Sequence, residues 1–170
     1  MTKISLAAVS SLPPKSYDKG DTENATEKLI DELRELQNVL FAQQKYSLLV
    51  VLQGMDASGK DGVIKEVFSG VNPMGCRVQG FKKPTEEEMG HDFLWRIHRN
   101  IPTKGMIQIF NRSHYEDVVI QKVHKWVDDK TIQQRYEHIN AFEKLVQSNN
   151  TVILKFYLHV SREEQQERLK

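Results

Sequence analysis

Apolar residues in this chain occur either at helical spacing or in short continuous runs. From Leu29 to Leu40, leucines recur at three- and four-residue steps, which predicts a helix from a cap at Asn24 to about Ala42. Three apolar runs are too short to form helices of their own, so each predicts a strand. These runs occupy residues 48–52, 106–110 and 152–158.

Capping patterns and periodicity predict further elements between these strands. Thr85 and Glu88 form a T-x-x-E capping box, which predicts a helix as far as about Arg99. Ser161 and Glu164 predict the start of a last helix in the same way. Helices are also predicted for 60–68 and about 131–147, and a short strand for 77–79. Because parallel strands need long crossovers, this alternation predicts an α/β fold, with a parallel sheet flanked by helices.

The chain is long enough for one ordinary domain and too short for two. Residues 1–21 carry prolines and serines without sustained periodicity, which predicts a mobile N-terminal arm, and residues 22–170 then form a single domain. The final pattern, SREEQQERLK, begins a helix and stops after about ten residues. We interpret the chain as a fragment of a longer protein.

Composition narrows the class of protein. The chain has 39% hydrophobic and 28% charged residues, which is typical of a soluble globular protein. Lysine and arginine number 24 against 23 acidic residues, so the overall charge gives no sign of nonspecific nucleic-acid or membrane binding. Cys76 is the single cysteine, which excludes an intrachain disulfide and a cysteine-based zinc site. We therefore expect a cytoplasmic protein.

The segment LLVVLQGMDASGKDG, residues 48–62, carries the clearest chemical signal. It runs a predicted strand into a glycine-spaced loop that ends in Lys60 at the start of a helix, the setting of a phosphate-binding loop. Asp61 stands where the usual G-x-x-x-x-G-K-[ST] pattern has a hydroxyl. The expected phosphate-binding residues are Gly54, Ala57, Ser58, Gly59, Lys60 and Asp61. The alternative is a glycine turn beside a surface lysine.

Two aspartates in this loop would repel phosphate unless a divalent cation lies between them. Mg²⁺ prefers one or two carboxylates together with phosphate oxygens and water, so an aspartate can replace the missing hydroxyl. Asp56 lies inside the loop and is the better candidate. Asp61 can instead be an acid in the first turn of the helix, where the helix dipole favours it.

A second polar segment, NRSHYED, follows the predicted strand 106–110. Ligands of open parallel sheets bind at the carboxyl ends of the strands, where this segment begins. We expect Arg112 to neutralise a transferring phosphoryl group and His114 to contact phosphate. Asn111 and Glu116 are candidate metal ligands, although Ser113 and Glu116 also fit a helix cap.

The predicted helix after Thr85 supplies a third group of candidates. Helical spacing would place Trp95, Arg96 and Arg99 on one side, and Lys82 lies just upstream. Such a surface predicts a basic wall for a polyanion. A solvated helix face is the alternative interpretation.

Taken together, the motifs GMDASGKDGVIK, FKKPTEEEMGHDFLWRIH, IFNRSHYEDV and HVSREEQQERL resemble the family-2 polyphosphate kinases. They occur in order over residues 29–170. The resemblance implies a P-loop kinase fold similar to thymidylate kinase and Mg²⁺-dependent phosphoryl transfer between inorganic polyphosphate and nucleotides. It implies adenine nucleotides as acceptors, with guanine nucleotides left open, and homo-oligomers.

The resemblance also implies roles for individual residues. Gly54 to Lys60 is similar to the Walker A loop, with Asp56 linked to the metal and Lys60 to phosphate. Asn111 and Arg112 match the Walker B position, where many members have aspartate before arginine, and this form resembles the branch that phosphorylates AMP and ADP.

Arg168 matches the first arginine of the family's helical lid, in the pattern E-Q-x-x-R. The resemblance implies that the rest of the lid and the last part of the sheet are missing from this chain. Two other functions remain open at this point: an ATP-dependent P-loop kinase for a nucleotide or small molecule, and a non-catalytic nucleotide- or polyphosphate-binding module.

Overall fold

A computed structural model describes residues 5–123 and 127–170, and its centre is a four-stranded parallel sheet. The strands are β1 (Ser47–Gly54), β2 (Cys76–Gly80), β3 (Ile107–Asn111) and β4 (Thr151–Leu158), in the order β2-β3-β1-β4. All three pairings are parallel. The predicted α/β class and all four predicted strands are therefore confirmed, with shifts of one or two residues at their ends.

Helices cover both faces of the sheet. They are α1 (Lys19–Gln43), α2 (Lys60–Phe68), α3 (Glu86–Met89), α4 (Trp95–His98), α5 (Glu116–Val123), α6 (Asp129–Ser148) and α7 (Arg162–Arg168). Val50 and Ile109 pack on one face against side chains of α1 and α2, whereas Leu49 and Phe110 pack on the other against α4 and α6. None of the helices within 5–123 and 127–170 combines the length and apolarity needed to cross a membrane.

Helix α1 begins earlier than the leucine pattern predicted. Asp18 is its N-cap, and the Asp18 side chain accepts hydrogen bonds from the backbone N–H groups of Gly20 and Asp21. The cap predicted at Asn24 is therefore wrong, because Asp18 already satisfies the free N–H groups one and a half turns upstream. Residues 19–21 of the predicted arm belong to this helix, and the mobility of the rest stays a prediction.

The long helix predicted from Thr85 to Arg99 is also wrong, since this stretch forms the two short helices α3 and α4. The capping box is present, with Thr85 and Glu88 bonded to each other's backbone N–H. Gly90 then ends α3 after a single turn, and the Asp92 carboxylate accepts a hydrogen bond from the Leu94 N–H. The stretch is therefore interrupted between Gly90 and Leu94 and is not one continuous helix.

Candidate active site

The phosphate loop connects the end of β1 to the start of α2, and it requires glycine at one position because of close contacts and at another because of its backbone conformation. A Cβ on Gly54 would lie 2.5 Å from Ser58 Oγ and 2.9 Å from the backbone oxygen of Leu158. Gly59 has φ 94°, a conformation that side chains with a Cβ disfavour. Ala57 also has a positive φ, of 59°, so the loop turns tightly over a few residues.

Lys60 lies under this loop and is only 8% exposed. Its ammonium group donates to the backbone oxygens of Gly54 (3.0 Å) and Met55 (2.9 Å) and to Ser58 Oγ (3.2 Å). Burial lowers the pKa of Lys60, and the nearby positive charge of Arg112 lowers it further. These hydrogen bonds hold the Lys60 side chain against the phosphate loop.

The carboxyl end of β3 meets the loop from the side. β1 and β3 are neighbours in register, with Leu52 opposite Asn111, so the residues after both strands lie at one edge of the sheet. The Asn111 side-chain amide donates to the carboxylate of Asp61. The sheet thus joins the two residues of the sequence that depart from the usual nucleotide kinase pattern.

Arg112 joins three parts of the site. Its backbone has φ 65°, unusual for a residue with a side chain, and its N–H donates to Leu52 O at 3.0 Å. The guanidinium group donates to the Asp56 carboxylate and, at 3.3 Å, to Glu116 Oε2. Loop, strand end and helix α5 are therefore tied together through one side chain.

These residues can accommodate a divalent cation when phosphate is also present. Asp56 and Glu116 both lie within reach of the same guanidinium group, so two carboxylates face one small volume. In the part of the chain that the structure describes, no cluster of three or more acidic, histidine or cysteine side chains forms a complete metal site. Mg²⁺ takes few protein ligands and fills its shell with water and phosphate oxygens, so two carboxylates can suffice to hold it.

Three cavities meet at Arg112. The loop cavity, about 460 Å³, lies over the phosphate loop and is lined also by Lys82, Asn111 and Arg168. The basic cavity has a volume of about 830 Å³ and shares Lys82 with the loop cavity. Its other basic side chains are Lys83, Arg96 and Arg135.

The apolar cavity, about 620 Å³, shares Asp56 and Arg112 with the loop cavity. Its walls include Val51, Tyr115, Val119, Phe156 and Tyr157. Positive charge is thus concentrated in the loop and basic cavities, which suit an anionic chain better than the apolar one does.

Arg96 and Arg99 do not share a surface as the predicted long helix required. Arg96 is buried, and its guanidinium group donates to Asp117 Oδ2 (3.0 Å) and to the backbone oxygen of Lys82 (2.9 Å). Arg99 is exposed and lies 4.5 Å from the centre of the Trp95 ring. The predicted basic wall on one helix face is therefore wrong, and Lys82 and Arg96 instead line the basic cavity.

The structure also brings helix α7 to the phosphate loop. Arg168 donates to the backbone oxygen of Ala57 at 3.3 Å, and Gln165 donates to that of Asp56 at 2.8 Å. Arg168 is also paired with Glu164 of its own helix. The placement agrees with a residue that contacts phosphate bound in the loop, which stays a prediction.

His114 occupies a different place from the one that the sequence suggested. Its ring is fully buried, and its Nε2 lies 3.2 Å from Glu143 Oε1. It does not line the loop cavity, so a direct contact with phosphate is not supported by its position.

Sequence reasoning missed the partners of His114. Glu143 accepts hydrogen bonds from the Tyr115 hydroxyl (2.8 Å) and from Lys155 Nζ (2.7 Å). A signal was present, because Glu143 lies between Ile139 and Val146 on the buried side of α6. A lone carboxylate in an apolar stripe predicts a buried partner.

Comparison with known proteins gives matches over nearly the whole chain. A sequence model of the family described as Polyphosphate kinase 2 matches residues 16–170. The chain is 52% identical over 137 residues to an AMP/ADP-polyphosphate phosphotransferase of Meiothermus ruber, a match that covers 81% of this chain and 51% of the relative. It is 42% identical over 151 residues to an ADP-polyphosphate phosphotransferase of Rhodopseudomonas palustris, covering 82% of this chain and 52% of the relative.

Solved structures give the same result. The crystal structure of a polyphosphate kinase 2 from Arthrobacter aurescens superimposes with a TM-score of 0.95 at 39% identity, and the match covers 99% of this chain and 62% of that chain. The chain therefore spans about half the length of the two curated relatives and under two thirds of the solved structure.

Proposed function

Because the chain belongs to the polyphosphate kinase 2 family, we propose that it is part of an enzyme that transfers phosphoryl groups between inorganic polyphosphate and nucleotides. The observation that carries the proposal is the convergence of the phosphate loop, Lys60 and Arg112 at one edge of the sheet. Names of relatives support the same substrates, since they describe transfer between polyphosphate and AMP or ADP.

The reaction is an in-line transfer in which the protein positions groups and neutralises charge, without a covalent intermediate. The loop backbone and Lys60 hold the phosphate that is transferred or left behind. Arg112, at the junction of the three cavities, neutralises charge on the phosphoryl group in transit. The attacking oxygen belongs to a nucleotide phosphate that is already ionised near pH 7, so a strong general base is unnecessary.

Mg²⁺ is the proposed cofactor. Asp56, with Asn111 and Glu116 close by, would hold it together with the substrate phosphates. When bound, the ion supplies positive charge that offsets the negative charge of two phosphate groups brought together. Asp61 is engaged by the Asn111 amide and serves to orient that side chain.

Polyphosphate binds in the loop cavity and extends along the basic cavity. The two cavities share Lys82, whose side chain is exposed, and Arg112. Arg168 contributes from helix α7. Arg96 stabilises this surface, because its guanidinium group donates hydrogen bonds to the Asp117 carboxylate and to the backbone oxygen of Lys82.

AMP and ADP are the proposed acceptors, following the name of the Meiothermus ruber relative, and guanine nucleotides are weaker candidates. ATP is then the product when ADP is the acceptor, and in the reverse direction ATP is the phosphoryl donor. We also propose a cytoplasmic location, because the single cysteine fits a reducing compartment, and assembly into homo-oligomers.

The direct test is an incubation of AMP or ADP with long-chain polyphosphate and Mg²⁺ in the absence of ATP. It uses both the 170-residue chain and a version extended by the part of the Meiothermus ruber relative that the match does not cover, since the chain spans half of that protein. Formation of ADP from AMP and of ATP from ADP supports the proposal. Product from ATP and a small-molecule acceptor alone, with polyphosphate inert, would show an ordinary ATP-dependent kinase instead.

A further inference from the structure

A cluster of four residues, of which His114 and Glu143 are buried, lies behind the segment that carries Arg112. We call it the Glu143 cluster, and it consists of Glu143, His114, Tyr115 and Lys155. Glu143 Oε1 lies 3.2 Å from His114 Nε2 and 2.8 Å from the Tyr115 hydroxyl, while Glu143 Oε2 accepts from Lys155 Nζ at 2.7 Å. Lys155 Nζ also donates to the Tyr115 hydroxyl at 3.1 Å. One carboxylate of α6 thus connects the start of α5 with strand β4.

The cluster keeps its carboxylate charged despite burial. Burial alone would raise the pKa of Glu143, but the hydrogen bonds from His114, Lys155 and Tyr115 outweigh it and lower the pKa to about 2. The Glu143 side chain is 11% exposed, so loss of these donors would leave a desolvated charge. The hydrogen bonds are therefore coupled, and the geometry of each depends on the others.

Two members of the cluster follow Arg112 closely in the chain. His114 and Tyr115 are the second and third residues after it, at the turn into α5. Arg112 itself has a positive φ, which costs energy and persists only when the surrounding structure enforces it. The Glu143 cluster is one of the constraints that can enforce this backbone conformation.

The rest of the segment is anchored in the same manner. The Gln53 amide bonds to Ser113 Oγ at 2.8 Å, and Arg96 pairs with Asp117. Backbone hydrogen bonds run from the Arg112 N–H to Leu52 O and from the Asp117 N–H to His114 O. Within residues 112–117, the Glu143 cluster holds the middle of the segment, and these contacts hold its two ends.

We propose that Glu143 is a positioning residue of the phosphoryl transfer, which fixes Arg112 and Glu116 through His114 and Tyr115 without touching substrate. The inference rests on the proposed function for its catalytic consequence. Helix α6 contributes no residue to the phosphate loop. In this proposal it nevertheless determines where the Arg112 guanidinium group lies.

The test compares Glu143→Gln with the matched variant Glu137→Gln. Glu137 is exposed on the same helix, so its replacement controls for a change of charge on α6. Hydrogen exchange is followed at the backbone N–H groups of residues 112–118, with β1 as the internal reference. Turnover of polyphosphate with AMP and ADP is measured in the chain and in its extended version, along with Arg112→Lys and the double variant.

The positioning role predicts that Glu143→Gln speeds exchange in 112–118 by about tenfold or more while β1 is unchanged. It predicts a fall in kcat of about tenfold with KM for polyphosphate altered less than about threefold. In the Arg112→Lys background the same change lowers kcat by less than about twofold, because the residue through which it acts has already been altered. Glu143→Asp, which keeps the charge, recovers most of the loss.

A merely structural role gives other results. Exchange in 112–118 equal to that of Glu137→Gln, or kcat losses that multiply in the double variant, would overturn the inference. If Glu143→Gln does not fold, Tyr115→Phe removes only the hydroxyl that bonds to Glu143 and Lys155 and is judged by the same two criteria. Absence of turnover in the unmodified proteins would contradict the proposed function, and the exchange data would still decide whether Glu143 positions the segment.

Discussion

The side-chain amide of Asn111, at the end of β3, donates a hydrogen bond to the carboxylate of Asp61 in the first turn of α2. Each residue departs from the usual nucleotide kinase pattern, Asp61 by replacing a hydroxyl and Asn111 by replacing an acid. Their contact explains how both are tolerated, because an amide can donate to a carboxylate whereas a second carboxylate would repel it. The two departures therefore form one compatible pair.

Asn111→Asp should make the stability of the protein more dependent on Mg²⁺. The change removes the hydrogen bond and opposes two carboxylates, which costs on the order of 1 kcal/mol without metal. A divalent cation between the acids would reverse the repulsion. We expect the thermal midpoint of the variant to lie below that of the unmodified chain without Mg²⁺ and to rise more when Mg²⁺ is added at constant ionic strength. Equal responses of the two proteins would contradict this account.

Gly54→Ala should disrupt the phosphate loop, whereas Gly62→Ala should not. A Cβ at position 54 meets the backbone of Leu158 and the Ser58 hydroxyl, but at position 62 it meets nothing within 4 Å. We expect Gly54→Ala to destabilise the protein by about 1–3 kcal/mol, and Gly62→Ala, in helix α2, to be neutral or stabilising by up to about 1 kcal/mol. Denaturant unfolding of the two variants measures the difference.

Arg96→Gln should act mainly on folding. The Arg96 and Asp117 side chains are 6% and 10% exposed, so removal of the arginine leaves a buried carboxylate unpaired. Loss of about 3–5 kcal/mol in the free energy of unfolding is expected. Arg99→Gln is the matched control, because its guanidinium group is exposed over Trp95 and should cost about 1 kcal/mol or less. Unchanged stability of Arg96→Gln would refute the structural role.

The free energy of unfolding should depend on pH through the titration of the Glu143 carboxylate. Its pKa is lowered from 4.5 to about 2, so its contribution is complete above about pH 4.5 and is lost as the pH falls towards 2. The difference in unfolding free energy between the unmodified chain and Glu143→Gln should therefore shrink over this interval. The shift corresponds to about 3 kcal/mol. A difference that stays constant from pH 5 to about 2.5 would contradict the assignment.

Much of the fold follows from the sequence, because buried strands and strong caps leave local signals. The runs 48–52 and 106–110 are apolar since β1 and β3 are central in the sheet and covered on both faces. The prediction of one long helix after Thr85 was wrong, because the apolar residues of this segment keep helical spacing across the break between the two short helices. Only the local bonds around Gly90 and Asp92 reveal the break.

The candidate site, like the fold, could be predicted from the sequence only in part. Glycine spacing and Lys60 could be interpreted locally, since strand, loop and helix are contiguous in the chain. The partners of Arg96 and His114 could not, because Asp117 and Glu143 come from other helices and depend on tertiary packing. An arginine in a basic motif predicts an anion site, but only the fold shows whether a protein carboxylate already occupies it.

The measurement that bears most directly on the central claim is the rate of nucleotide phosphorylation by polyphosphate in Lys60→Ala compared with Lys65→Ala. Both lysines lie on α2, but Lys60 is buried under the phosphate loop and Lys65 is exposed. With polyphosphate, Mg²⁺ and no ATP, in the extended protein, we predict that Lys60→Ala loses about 10²–10³ in rate and that Lys65→Ala stays within about twofold of the unmodified protein. Near-normal turnover of Lys60→Ala would contradict the claim that transfer occurs at this loop.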